Sequence, residues 1–416
     1  IVLLMKVRQA YRYELDPTNV QKTALARHAG AARFAYNWGL AERKRGLETG
    51  EGATSAIAQH REWNCWKRKN APWWVEVSKC APQEALRDLD KAMRAFFDSK
   101  GDRRARKVGF PRFKKKGEGD SFRLTGSIRI EKKAVTLPRL GTLRTKEETS
   151  KLTASGARLT SATLRKEADR WFVSFTVEVE RADPKPLDGE VVGIDRGIDA
   201  FAVLSHGEVI DSPQALETGM RKLRRLSKSV SRKQKGSNNR NKARAKLASH
   251  HRRMANRRKD ALHKATTHLA KTKQVMVVED LNISGMVRNR RLARSISDMG
   301  WGEFHRQLAY KTMWYGSQLV VADRFFPSTK TCSACGEVAE EVPLSKRTFV
   351  CGSCGCSIDR DLNAAINLKN LYVAVSSTET LNACGGESSG RDASNVSVKL
   401  APTKQEPDSK FRETFA

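Results

Sequence analysis

Four cysteines in two tight pairs, Cys332-x2-Cys335 and Cys351-x2-Cys354, fix one part of this fold before any other reading begins. Each pair is followed by a glycine, Gly336 or Gly355, and fifteen residues separate the pairs. A knuckle of this kind turns two thiolates toward one point, and two knuckles complete a closed tetrahedral Zn2+ site. The spacing therefore predicts a zinc ribbon over 326–356 with one structural Zn2+, and Cys356 is an alternative fourth ligand to Cys354. Cys65, Cys80 and Cys384 are isolated and read as ordinary. Clustered rather than spread as a disulfide framework, the cysteines point to metal in a reducing compartment.

The charge balance narrows the partner. Lys and Arg number 78 against 46 Asp and Glu in 416 residues, a formal net charge of +32, which calls for a polyanion and above all nucleic acid. At 39% hydrophobic the chain has material for folded cores. No apolar run approaches the roughly 18 residues of a membrane span, and no secretory leader is visible, so a soluble cytoplasmic, nucleoid-associated protein is expected. The most basic tract, Arg221 to Lys264, holds eighteen Lys or Arg against one acid, Asp260. Its sparse apolar residues, Leu223, Leu226 and Val230, recur at helical spacing. A solvated helix pair facing a phosphate backbone is the reading, with Arg224, Arg225, Arg232, Lys233, Arg252, Arg253, Arg257 and Arg258 as contacts. In Gly109-Phe110-Pro111-Arg112-Phe113-Lys114-Lys115-Lys116 aromatics alternate with cations, and Arg112, Lys114 and Lys115 join that set.

The first half reads as a strand over Lys6–Leu15 and three helices. Asp16 is expected to cap the first, with Pro17 in its first turn, running through Arg43. The second covers Ala56–Lys69, and the third opens at Ala81-Pro82 with Leu86, Leu89, Met93, Phe96 and Phe97 on one face. Short strand-like pieces follow at Ser121–Leu124, Ser127–Ile130, Ala134–Leu137, Thr160–Lys166 and Trp171–Val179, which suggest a small antiparallel barrel or sheet. Beyond a proline-bearing linker, the second half gives three strands, the basic helices, a strand at Val275–Val278, a helix from Gly302 to Gly316, a strand at Gln318–Asp323, the cysteine insert and a helix over Asp361–Val375. The tail over 377–416 is rich in Ser, Lys and Glu and is expected to be disordered.

That order of elements is the order of a ribonuclease H-like fold, and it places three carboxylates together. Asp195 closes the first strand, Glu279 the fourth, and Asp361 opens the last helix. In such a fold the first and fourth strands are neighbours. Three packed carboxylates raise one another's pKa. Two Mg2+ ions about 3.5–4 Å apart would relieve the repulsion and support in-line attack on a phosphodiester. Asp280 and Asp359 stand beside two of them; Asp280 should face away from Glu279, and Asp359 should cap the turn.

At these residues the chain resembles the TnpB family of insertion-sequence proteins, relatives of the type V CRISPR effector nucleases. The likeness covers nearly the whole chain and rests on Ala32-Arg33-Phe34-Ala35-Tyr36-Asn37-Trp38, Val108-Gly109-Phe110-Pro111-Arg112-Phe113, Val192-Gly193-Ile194-Asp195 and Ser297-Asp298-Met299-Gly300-Trp301. Its most specific part is the cysteine knuckles with Asp359-Arg360-Asp361-Leu362-Asn363-Ala364-Ala365. The resemblance implies an α/β multidomain RNA-guided DNA endonuclease with no small-molecule substrate. It would bind a guide RNA from the transposon end and cut double-stranded target DNA beside a short motif. Asp195, Glu279 and Asp361 would form a RuvC-like triad. The implied domains are a wedge barrel (5–16 and 107–183), a helical recognition insertion (17–106), a RuvC-like nuclease domain (189–325 and 357–376) and the ribbon. Gln83 and the Ser121-Phe122-Arg123 segment, with Phe122 and Arg123 as contacts, become candidates for reading the target duplex. A strand-transfer transposase and a catalytically silent RNA-guided regulator are the rival readings. The full set of acids favours cleavage over the second.

Overall fold

The computed structural model describes residues 4–50, 54–101, 107–152, 158–343, 346–383 and 399–400. Two compact units divide the chain: Ile1–Ala182 with Lys233–Ser249, and Asp183–Arg232 with His250–Ala416.

In the first unit, β1 (Leu4–Glu14) leads into α1 (Asn19–Glu48). The cap of α1 is Thr18, not the expected Asp16. Thr18 Oγ1 accepts from the Gln21 amide and the Gln21 side chain accepts from the Thr18 amide, a reciprocal capping box. Asp16 instead donates its backbone N–H to Arg144 O at 2.8 Å and fixes the strand exit. Helices α2 (Ala56–Asn70) and α3 (Cys80–Gly101) follow. Then come β2 (Ser121–Leu124), β3 (Arg129–Ile130), β4 (Ala134–Leu137), β5 (Gly141–Arg144), β6 (Arg158–Glu167) and β7 (Arg170–Ala182). Strand β5 escaped the sequence reading because Leu143 is its single buried residue.

The strands make two antiparallel sheets, one in the order β1-β7-β6-β2 and one in the order β3-β4-β5. Strand β1 pairs with β7 along its whole length, Leu4 to Glu14, so the N-terminal strand does join the later ones. Helices and sheet share one core. Leu25, Ala29 and Leu40 of α1 and Leu89 and Met93 of α3 pack in the same cluster as Phe122, Leu124, Leu164, Val173 and Phe175.

The second unit opens with β8 (Glu190–Asp195), β9 (Ala200–Leu204) and β10 (Val209–Asp211). Two helices follow, α4 (Ala215–Ser231) and the long α5 (Asn238–Thr272), whose first turns belong to the first unit. Next are β11 (Lys273–Glu279), α6 (Ile283–Met286), α7 (Ala293–Met299), α8 (Trp301–Tyr315) and β12 (Gln318–Ala322). The cysteine insert contains β13 (Thr348–Val350) and β14 (Ser357–Asp359), which runs directly into α9 (Arg360–Ala383). A short β15 (Lys399–Leu400) completes the described chain. Helix α9 is thus longer than expected. Of the tail, β15 pairs antiparallel with β12, and the other residues after Ala383 lie outside the described ones.

The sheet order is β10-β9-β8-β11-β12-β15, with β8, β11 and β12 parallel. Strands buried on both faces should be nearly all apolar, and β8 and β11 are. Val192, Ile194, Met276, Val278 and Leu319 pack with Leu262, Leu269, Trp301, Phe304 and Leu308 on one face. The alternate residues Val275, Val277 and Val320 pack with Leu368 and Leu371 of α9 on the other.

Candidate nuclease and metal sites

The same alternation decides where the acids go. Asp195 follows Gly193, and Glu279 follows Val277, at a spacing of two, so both carboxylates leave the face that carries α9. Each stands one residue beyond the paired Ile194 and Val278, so they leave adjacent parallel strands at one level. Helix α9 supplies the third acid from its first turn, where Asp359 Oδ1 accepts from the Asp361 and Leu362 amides at 3.0 Å.

What lets α9 come so close is Gly193. A Cβ there would stand 1.9 Å from Ala365 O and 2.6 Å from Lys369 N, so the helix backbone rests on the strand backbone. Gly197 similarly brings its own backbone beside Asp361, whose Oδ2 would lie 3.8 Å from a Cβ. The electrostatics agree with the geometry. Burial, then the charges of Glu279 and Asp361, push the Asp195 carboxyl up to about 7.

Several groups hold this arrangement. Arg196, buried, donates to the Glu279 carbonyl and ties the two strand ends together. Ser328 Oγ donates to Glu279 Oε1. Asp361 meets Arg360 at 3.3 Å and Arg347 at 3.7 Å, and Arg347 also pairs with Asp199. Asp280 turns away to Arg324 at 2.6 Å, as strand alternation requires. The sequence reading singled out the three acids but not Gly193, Arg196, Ser328 or Arg347. Gly193 lay inside a quoted motif, and the others carry no spacing signal.

The four knuckle sulfurs gather within 4.8 Å of one another, the one such cluster of ligand atoms among the described residues. Cys332 Sγ lies 3.7 Å from Cys354 Sγ, and Cys335 Sγ 3.6 Å from Cys351 Sγ. Zn–S bonds of about 2.3 Å at tetrahedral angles would set the sulfurs about 3.8 Å apart, so the donor set fits Zn2+. Backbone N–H groups of Cys335 and Ala334 hold the Cys332 thiol down to about 6, and those of Cys354 and Ser353 lower Cys351. Cys356, the alternative ligand, stands outside the four and packs beside them.

The base of this insert is fastened to α9. Asn363 accepts from the Ser333 amide at 2.9 Å and donates to Thr331 O at 2.7 Å. Asn367 donates to Ser328 O at 2.8 Å and Thr331 O at 2.6 Å. The segment that holds Glu279 through Ser328 is therefore itself held by the helix that carries Asp361.

The expected nucleic-acid contacts fall into two groups. Arg112, Lys115, Arg224, Arg225, Arg232, Arg253 and Arg257 are exposed, and Gln83, Lys233 and Arg252 are partly so. Phe122 is different: at 4% exposed it belongs to the core, 5.3 Å from the His28 ring, so it packs the fold rather than offering a face. Arg123 is engaged by Glu84 and Asp88 at 3.4 and 3.6 Å. Arg258 donates to buried Asp298 at 3.2 and 2.5 Å. Lys114 exchanges backbone bonds with the Asn37 amide, and its ammonium lies 3.9 Å from the Tyr36 ring centroid.

Among known proteins, a family described as a probable transposase matches residues 174–290, and a Cas12f1-like TNB domain matches 301–368. A helix-turn-helix domain matches 5–52, although residues 4–50 here form one strand and one uninterrupted helix. The chain is 36% identical to a Streptomyces pristinaespiralis protein named "Putative RNA-guided DNA endonuclease", over 97% of this chain and 98% of that one. It is 33% identical to InsQ of Escherichia coli K12, a protein of the same designation, over 99% and 100%. The fold resembles the protein in a cryo-EM structure of a Cas12f1-sgRNA-target DNA complex, with TM-score 0.54 and 13% identity over 88% of this chain and 99% of that one. No helix among the described residues is long and apolar enough to cross a membrane.

Proposed function

The chain belongs to the TnpB family of insertion-sequence RNA-guided nucleases, and from that premise we propose that it is an RNA-guided DNA endonuclease whose single RuvC-like centre is Asp195, Glu279 and Asp361. One observation carries the assignment. Two carboxylates leave adjacent parallel strands at one level on one face, and a helix seated on Gly193 carries a third, whose charge with that of Glu279 raises Asp195; this supports the reading.

Such a trio is unstable by itself in water-poor surroundings, as the raised Asp195 pKa records. The donor set is all carboxylate oxygen, which suits Mg2+. When bound, two Mg2+ would neutralise the acids, activate the attacking water and stabilise the leaving oxygen. The protein's own part is positioning. Arg196 fixes the distance between strand ends, Ser328 orients Glu279, and Asp359 orders the turn that presents Asp361. The ribbon's Zn2+, held by Cys332, Cys335, Cys351 and Cys354, is structural, since all four ligand positions are protein thiolates.

In this reading the guide is an RNA from the transposon end and the target is duplex DNA read by base pairing. The exposed arginines and lysines of α4 and α5 supply backbone affinity, which falls steeply with salt. In the same reading, the two sheets of the first unit would serve as the wedge and α1, α2 and α3 as the helical recognition insertion.

The test uses protein co-expressed with RNA from the flanking transposon end. Plasmids carry a matching target beside a randomised motif, with Mg2+ or EDTA. Linear product that requires Mg2+ and matching RNA, and disappears in Asp195→Ala, is expected. RNA-dependent binding without cleavage would overturn the nuclease in favour of a silent regulator. Joining of transposon ends would overturn it in favour of strand transfer.

A further inference from the structure

The first unit contains an aromatic cluster that neither its core nor the nuclease centre explains. Trp38, Trp63, Trp66, Phe34 and Trp73 form a continuous chain of rings with centroids 5.3 to 6.1 Å apart. Its inner end is ordinary packing, since Trp63 is fully buried beside Ala35 and Leu86. Its outer end is not. Phe34 is 42% exposed, and Trp73 stands edge-on to it at 84° and 5.6 Å.

Beside them opens a cavity of about 340 Å³, lined by Arg27, Gly30, Ala31, Phe34, Trp73, Glu76 and Val77. The space exists because α1 presents Gly30 and Ala31 one turn before Phe34, so no long side chain fills it. At the rim Arg27 and Glu76 pair at 2.7 Å while both remain more than half exposed.

We infer that this cavity receives one unstacked base of a single-stranded nucleic acid. Three features favour a base over an apolar side chain. Two of the lining side chains, Phe34 and Trp73, are aromatic rings set at 84°, so one base can stack on the face of one and meet the edge of the other, with little regard to sequence. The rim offers a guanidinium donor and a carboxylate acceptor side by side, the pair of functions that a base edge displays and an aliphatic side chain lacks. The last turn of α2 carries exposed Arg68 and Lys69, and the chain's net charge is +32, which favours a polyanion over an acid-poor protein surface. The inference borrows from the proposed function only the class of ligand and needs no cleavage chemistry.

The test is a cycle on the full-length protein. The probes are a twelve-residue abasic strand carrying 2-aminopurine as its one base, the same strand abasic throughout, and unmodified oligothymidine, the first two each as DNA and as RNA. Affinity is measured by anisotropy over a salt series in EDTA. Stacking of one base supports about a tenfold loss when it is removed. Phe34→Leu and Trp73→Leu should each weaken binding of the 2-aminopurine strand about tenfold and leave the abasic strand unaffected. They should relieve the quenching of 2-aminopurine and leave the salt slope unchanged, because no phosphate contact is lost. The DNA and RNA arms tell which strand occupies the cavity. Unchanged affinity in both variants would overturn the proposal, as would equal losses on both strands. In those cases salt-dependent binding of oligothymidine would still stand for the nucleic-acid reading, so the two failures are distinguishable. Circular dichroism and melting of each variant separate a lost pocket from a lost fold.

Discussion

Substituting Gly193 by alanine should disable the nuclease through geometry alone. Its backbone angles are open to any residue, so only space is at issue. The new methyl would lie 1.9 Å from Ala365 O, where ordinary contact begins at 3.4 Å. Helix α9 must therefore retreat from β8 by about 1.5 Å. Asp361 sits one turn from Ala365 on the same rigid helix, so it retreats by nearly the same amount while Asp195 and Glu279 stay on their strands. A misplacement of about 1 Å in a reacting constellation costs roughly a hundredfold in rate, and overpacking costs about 1–3 kcal/mol of stability. The assay is guided linearisation of a target plasmid, with target binding followed separately by mobility shift. Gly193→Ala should cleave about a hundredfold more slowly and bind normally. Gly189→Ala is the control: its methyl would meet Thr272 O at 3.3 Å, a clash that a few tenths of an ångström relieves. If Gly193→Ala cleaves within threefold of the parent, close seating of α9 is not what assembles the site.

Asp195 gives a pH signature in metal-free protein. Its folded pKa, about 7, lies above the roughly 3.9 of an unfolded aspartate. The contribution to stability is therefore complete below about pH 4 and declines as pH rises through 7. About 1–3 kcal/mol should be lost, less than the full shift implies because the residue keeps a wet edge. Asp195→Asn should flatten that profile in urea melts and raise neutral-pH stability, whereas added Mg2+ should help only the parent. Removing the ribbon's metal with a strong chelator and then restoring Mg2+ alone, or replacing Cys351 by serine, should lower cleavage at least tenfold through Asn363 and Asn367. Hydrogen exchange should rise over 326–356 and the first turns of α9, and stay unchanged in the sheets of the first unit. Ser328→Ala frees the Glu279 carboxylate and should cost about 3–30-fold in rate, corresponding to the roughly 0.5–2 kcal/mol of one orienting hydrogen bond. The Mg2+ titration should become less steep, with no change in melting temperature.

Much of this was legible because the informative features are local. The knuckles announce their own geometry, and the continuous apolar runs Val191–Ile194 and Val275–Val278 announce two buried strands, each closed by an acid. The cap of α1 was misplaced by two residues because Asp16 and Thr18 are both good caps. Gln21, three residues after Thr18, decides between them. Phe122 looked like a contact beside Arg123, but adjacent strand residues point to opposite faces, so one of the two had to be buried. Arg258 could not be separated from its basic neighbours until Asp298, forty residues later, was seen to claim it. Pairings of that range leave no trace in periodicity.

The cysteine insert leaves the sheet beside Ser328 and returns through β14 at Asp359, so its exit and its return both lie at the acids. A tether of that form is a mechanical relay. Whatever grips the ribbon's far end pulls on Glu279 and Asp361 together, and anything that stiffens it steadies both. The tip is free to lengthen or change its surface, because no residue of the centre changes register when it does.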